Sequence, residues 1–247
     1  MNKNKKISII TVTKNSEKFL EECILSVHNQ TYKNYEHIII DGNSNDNTLG
    51  IIEKHKEKIA YWISKNDNGL YDAMNKGINY CTGDIIGILN SDDIYYPDAL
   101  KIVNRYFNSY QDLDFLFGSV YKYKLLHGYN PKKIRWSFGF YTSHSVGFFI
   151  KKTSQLNVGL YNVKYKWSAD YDLFYRMIIK LKFKGMATKK EEIFGKFRSG
   201  GISSRLSFWE YLNENTRIRI DNGQNIIFVY IIFLIRFIKN LRKIFKI

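Results

Sequence analysis

Cysteine is nearly absent. The 247 residues hold two, Cys23 and Cys81, neither in a CxxC pair nor beside a histidine at zinc-ligand spacing, which argues against a disulfide scaffold or a zinc site. Long apolar runs are missing as well. The nearest, Ile226 to Ile235, is interrupted by Arg236, well short of the ~20 apolar residues that span a bilayer. Met1 to Lys6 is polar and basic and leads straight into an apolar stretch with no small-residue cleavage site, so no secretory signal is expected and the chain is placed in the cytoplasm. Glycine-rich phosphate motifs are lacking: neither GxxxxGK[ST] nor GxGxxG occurs, which disfavours a P-loop kinase and a nicotinamide dehydrogenase.

What is present is an ordinary share of core formers, 45% of residues, enough for one large domain or two small ones and too many for disorder. Lys and Arg total 38 against 23 Asp and Glu. The excess is uneven. Residues 1–130 carry 15 basic and 16 acidic side chains, and residues 131–247 carry 23 and 7, so the second half faces something anionic.

Ile7 to Thr13 reads as a strand, followed by a helix with Phe19, Leu20, Cys23, Ile24 and Val27 at helical spacing. The unit repeats with Tyr35 to Ile40 and a helix through Ile51-Ile52, then with Ile59 to Ser64 and a helix over Leu70 to Tyr80, and Ile85 to Leu89 forms a fourth, central strand. Alternation of this kind predicts an α/β fold with a mostly parallel sheet flanked by helices. After Pro97 and a helix to about Phe107 the pattern loosens into an aromatic-rich region with strand-like stretches Phe115 to Tyr123 and Val146 to Ile150, then helices around Asp170 to Ile178 and Leu206 to Ile220.

Ligands of open α/β sheets lie beyond the carboxyl ends of the strands. There the chain places Thr11, Thr13 and Asn15, then Asp41, then Asp67, then Asp92-Asp93. Two adjacent carboxylates at the exit of a buried strand repel unless a cation or donors offset them, and Mg²⁺ or Mn²⁺ with substrate phosphates does so; the bland reading is a helix-capping turn. Asp41-Gly42 alone is an Asx-turn, and His144 alone is a structural histidine. Asp170 and Asp172 are two apart on one helix and point to different faces, so one of them serves a given site.

Ser8 to Asn15, Ile40 to Thr48, Asp67 to Gly77, Gly83-Asp84 and Leu89 to Asp93, in that order, resemble the family-2 glycosyltransferases of the GT-A fold, as do Ser168 to Asp172 and Phe197 to Ser203. The resemblance implies that Thr11, Thr13, Asn15, Asp41, Asp67, Lys76 and Asp92 contact a nucleotide-sugar, with Asp41 on the uracil of a UDP-sugar. It implies Asp93 as ligand of a Mn²⁺ or Mg²⁺ on the diphosphate, Asp170 as the base that activates the acceptor, and His144 and Arg198 as phosphate or acceptor contacts. Thr11 stands where many relatives have proline, and Ala169 where many have an acid. One base opposite the leaving group implies inversion, and the family implies cell-surface polysaccharide assembly, O-antigen included, on a polyprenyl-diphosphate-linked saccharide.

The expected organisation is one GT-A-like catalytic domain over 1–222, with a nucleotide-sugar half (1–125) and an acceptor half (126–222), and a basic amphipathic tail over 223–247. From Arg236 the tail sets Phe237, Ile238, Leu241, Ile244 and Phe245 against Arg236, Lys239, Arg242, Lys243 and Lys246, which suits the anionic inner face of the cell membrane; the alternative is a core or homodimer-forming helix. Competing functions are a nucleotidyltransferase, which lacks its triphosphate loop here, and a basic nucleic-acid-binding protein, against which much of the excess charge lies in an apolar tail. No nucleic-acid partner is expected.

Overall fold

The computed structural model describes residues 4–136, 140–198 and 207–241. Its first part alternates strand and helix: β1 (Ile7–Thr13), α1 (Leu20–His28), β2 (Tyr35–Asp41), α2 (Thr48–Lys54), β3 (Tyr61–Ser64), α3 (Leu70–Tyr80) and β4 (Ile85–Ile88). These strands pair in parallel in the order β3-β2-β1-β4. β1 lies between β2 and β4 and is buried along its whole length, as an apolar strand covered on both faces must be. Ile10 and Val12 join the core under α3, whereas Ile7 and Ile9 join the one that holds Cys23 and Val27 of α1. α3 approaches β1 closely because residue 77 is glycine: a Cβ there would lie 2.4 Å from Ile10 Cγ2.

Beyond β4 the strands are short and partly antiparallel. The chain continues through β5 (Ile94–Tyr95), α4 (Ala99–Ser109), β6 (Phe115–Phe117), β7 (Ser119–Tyr121), β8 (Leu125–Leu126), β9 (Phe148–Lys151), α5 (Lys152–Val158), α6 (Ala169–Tyr175), β10 (Gly185–Ala187), β11 (Ile193–Lys196), α7 (Phe208–Asp221) and α8 (Ile226–Lys239). β9 pairs antiparallel with β4 and β6, giving a sheet of order β10-β6-β9-β4-β1-β2-β3, and a second sheet runs β5-β11-β7-β8. The expected single strand over Phe115 to Tyr123 is therefore split between two sheets. The division falls at Gly118, where the Phe194 ring occupies the space of a side chain, 2.2 Å from an added Cβ. Phe117, Phe140 and Phe148 interlock with Phe174 of α6 at ring distances of 4.9 to 5.8 Å, so these aromatics are core.

Asn225 caps α8 by accepting from Phe228 N at 3.2 Å. Val229 and Ile232 are buried, and Phe233 and Phe237 meet Trp209 of α7. The other face of α8, with Ile227, Ile231, Leu234 and Ile238, is exposed. Among the described residues no helix is long and apolar enough to cross a membrane. The motif residues Ser199 to Ser203 and the tail residues from Arg242 onward lie outside the described residues.

Candidate active site

The loops leaving β1 and β2 are stitched together. Asp41 is fully buried, and its carboxylate accepts from Ser44 N at 3.0 Å, Ser44 Oγ at 2.5 Å and Ser64 Oγ at 2.6 Å. Asn15, with a positive φ of 51°, donates its backbone N–H to Ser44 Oγ at 2.8 Å and accepts from Asn45 N at 3.0 Å. Asp67 folds over the same place, its Oδ2 only 2.4 Å from where a Cβ on Gly42 would be. Asn15, Asp41 and Asp67 are thus gathered at one edge. At the ends of β1 and β4, the buried Thr13 hydroxyl and Asn90 Oδ1 have no hydrogen-bond partner among the described residues, and such groups cost about 1–3 kcal/mol when left unmet.

Two expected contacts sit differently. Thr11 is fully buried on the α1 side of the sheet, its hydroxyl 2.9 Å from His37 Nε2 and 3.8 Å from Cys23 Sγ, so its side chain supports the strand rather than facing the edge. Lys76 meets Asp72 at 3.1 Å and the Asn66 carbonyl at 2.9 Å, and it lines a cavity of about 200 Å³ with Ile40, Ile63, Lys65 and Tyr80.

Asp93 is fully buried beneath β4, with Ser145 Oγ donating to Oδ2 at 2.6 Å and the Arg198 backbone N–H donating to Oδ1 at 2.8 Å. Burial and the neighbouring Asp92 push its carboxyl up to about 7 in spite of those donors. Burial raises Asp92 too. The Arg198 guanidinium reaches the Asp92 carbonyl at 3.2 Å, pairs with Glu22 and lies 4.9 Å over the Phe19 ring. Among the described residues no three His, Cys, Asp or Glu side chains come together as a metal site. A pair of carboxylates still fits a divalent ion that takes its remaining ligands from water and phosphate, the usual pattern for Mg²⁺. Each Asp93 oxygen accepts one hydrogen bond, which leaves a lone pair on each.

Asp170 stands at the start of α6. Its Oδ1 accepts from the Tyr171 backbone N–H at 2.9 Å, its Oδ2 accepts from the Tyr141 hydroxyl at 3.0 Å, and the Tyr71 hydroxyl lies 3.1 Å from Oδ1 and 3.0 Å from the Trp167 carbonyl. Asp172 points away, into an ion pair with Arg176 at 2.9 Å and a bond from Asn222 at 2.8 Å, as the two-residue offset predicts. His144 Nε2 is 2.7 Å from the Tyr161 hydroxyl, and burial lowers its imidazole below the ordinary range while the nearby Asp170 charge opposes that shift.

One short segment joins the two carboxylate clusters. His144 belongs to the Asp170 side and its neighbour Ser145 to the Asp93 side. The next residue, Val146, holds φ at 68°, a strained conformation for a β-branched residue and one that persists where packing over-determines it. Sequence reasoning missed Tyr71, Tyr141, Ser44, Ser64 and Ser145. Tyr71 lies inside the Asp67 to Gly77 motif, which was a signal; Ser145 had none beyond its neighbour His144.

The profile described as Glycosyl transferase family 2 matches residues 8–212. A glycosyltransferase of Rickettsia typhi without assigned function is 30% identical over 186 residues, 70% of this chain and 58% of that protein, so the chain aligns with little more than half of this relative's length. Among solved structures, S. aureus TarS 1-349 in complex with UDP-GlcNAc superposes with a TM-score of 0.71 at 18% identity, over 92% of this chain and 70% of that one. The mannosyltransferase PcManGT from Pyrobaculum calidifontis, in complex with GDP-Man and Mn²⁺, gives 0.67 at 15%, over 92% and 67%. At these identities the likeness is one of fold, the GT-A arrangement.

Proposed function

The chain belongs to glycosyl transferase family 2, and from that premise we propose that it transfers a sugar with inversion from a UDP-sugar to a lipid-linked saccharide in cell-surface polysaccharide assembly. The observation that carries this reading is the placement of Asp92-Asp93 and Asp170 in two clusters joined by His144 and Ser145. Asn15, Asp41 and Asp67 take the nucleotide within the 1–125 half, with Thr13 beside them at the end of β1. Asp93 would hold a Mn²⁺ or Mg²⁺, which would neutralise the diphosphate that leaves, and Asp92 would contact the ribose or sugar of the donor.

Asp170 takes the proton of the attacking acceptor hydroxyl as the new C1–O bond forms and the C1–O bond to the diphosphate breaks, the electron pair leaving with the diphosphate. Tyr71 and Tyr141 hold the carboxylate in place for that transfer. His144 and Arg198 flank the base and the carboxylate pair respectively and serve the acceptor and the phosphates. Residues 126–222 present the acceptor, and α8 with the basic residues after it attaches the protein to the inner face of the cell membrane, where a polyprenyl-diphosphate-linked acceptor is held. A panel of nucleotide-sugars with Mn²⁺, scored for nucleoside diphosphate release and for acceptor-dependent product, tests the reading. Release from no member of the panel, with or without saccharide acceptors, would overturn it.

A further inference from the structure

The segment 130–136 lies at the N-terminal end of α8. Asn130 caps the turn Pro131–Lys133 by accepting from Lys132 N at 3.1 Å. Ile134 is fully buried, while Lys132, Lys133, Arg135 and Trp136 face outward, with 56% of Trp136 exposed. The Trp136 ring stands edge-on to Phe228 of α8 at 4.2 Å, and Gln224 donates to the Arg135 carbonyl at 3.2 Å. The exposed aliphatic stripe Ile227, Ile231, Leu234 and Ile238, spaced alternately by four and three and so on one helix face, therefore continues into an exposed indole beside three cations. Neither segment 130–136 nor α8 contains an acid.

We propose that Trp136 with Lys132, Lys133 and Arg135 is a second membrane contact, docking on an anionic bilayer together with α8; the inference rests on the reading of α8 as the attachment helix. An indole beside ammonium and guanidinium groups matches the headgroup layer, where aromatic rings settle and cations meet anionic lipid. A second copy of the chain is a poorer occupant, because a two-fold contact sets a patch against itself and would bring these cations face to face. The loop also reaches the chemistry. The Ile134 carbonyl accepts from the Tyr171 hydroxyl at 2.8 Å, and the Tyr171 backbone N–H donates to Asp170 at 2.9 Å, so the docked loop is bonded to the residue that orients the candidate base. A lipid-borne acceptor would thus arrive on the Asp170 side.

The test is co-sedimentation of the full chain with phosphatidylcholine vesicles made with and without phosphatidylglycerol. Wild type should bind the anionic vesicles, and the combined variant Lys132→Ala, Lys133→Ala, Arg135→Ala should bind them about a hundredfold more weakly at low salt, from roughly fivefold per cation. Trp136→Ala should lose about tenfold on both lipids. All four side chains are exposed, and unchanged circular dichroism would show that the variants fold. If both loop variants bind like wild type while Ile231→Asp releases the protein, the loop proposal is overturned and the α8 reading stands. Wild type that ignores anionic vesicles overturns both. A chain that ignores vesicles and sediments as a dimer that Trp136→Ala splits assigns the patch to a second copy instead.

Discussion

The Tyr71 hydroxyl lies 3.1 Å from Asp170 Oδ1 across a sequence separation of 99. With Tyr141 on the other oxygen at 3.0 Å, it gives the carboxylate a hydroxyl neighbour on each side.

Asp170→Asn is expected to lower turnover by ~10²–10⁴ while leaving donor affinity in place, since a positioned base contributes that much. The paired variant Tyr71→Phe, Tyr141→Phe keeps the base and removes its hydroxyl neighbours. Its kcat should fall by a smaller factor while KM for the donor stays unchanged. An unchanged kcat would mean that the tyrosines only pack.

Asp172→Asn should act on stability instead. Its nearly enclosed carboxylate meets Arg176 and Asn222, Arg176 keeps the Val158 and Leu160 carbonyls without it, and losing a hydrogen bond to a charged group costs about 1.5–3 kcal/mol. A drop in urea midpoint with near-normal kcat is the expected pair of results. A kcat loss equal to that of Asp170→Asn would move the base to Asp172.

Removing divalent ions with EDTA should abolish transfer, and Mn²⁺ or Mg²⁺ should restore it. Asp93→Asn preserves shape and removes the charge, so it should lose most metal-dependent activity and require far more Mn²⁺ for half-saturation. Titration of Mn²⁺ against nucleoside diphosphate release distinguishes this from a folding defect, in which activity falls at every metal concentration with unchanged half-saturation.

Stability against pH should show two opposed contributions. Burial pushes His37 down to about 3, so between pH 6.5 and 3 the unfolded chain binds the extra proton and stability falls on acidification by about 1.4 kcal/mol per unit. Asp93, held up to about 7 by burial and by Asp92, has the reverse sign: between about pH 7 and 4 the folded metal-free chain binds the extra proton and gains stability at a similar slope. His28 and His144, also lowered, add to the first contribution and Asp92, also raised, to the second, so substitution isolates the share of His37. His37→Gln should gain stability relative to wild type as pH falls below 6.5, measured by urea midpoints in EDTA. Parallel curves for the two proteins would show that His37 does not titrate this way.

The alternation of β1 to β4 with α1 to α3 was legible because each element shows its own period and each strand delivers polar residues to the same edge. That Asp170 and Asp172 face apart was legible from helix geometry alone, whereas the choice of Asp170 as the base came from the family resemblance. Thr11 was not, because β1 is buried on both faces and nothing in its own residues says that Thr11 faces α1 and binds His37. Nor was the break at Gly118: the apolar run continues across it, and the ring that forces the chain from one sheet to the other, Phe194, arrives from far along the sequence. The Tyr71–Asp170 and Ser145–Asp93 bonds likewise join segments that meet only once the sheet has formed.

The left-handed turn at Val146 follows directly on the two residues that serve the two carboxylate clusters. Because those residues share a peptide bond, a shift of this backbone turn would move a neighbour of each cluster at once. On the proposed function, donor and acceptor would have to match the span this turn sets. Discrimination between donors and acceptors would lie in how well the reacting atoms match that span, and a substitution that let residue 146 relax, such as Val146→Gly, would loosen the span before it removed any chemical group.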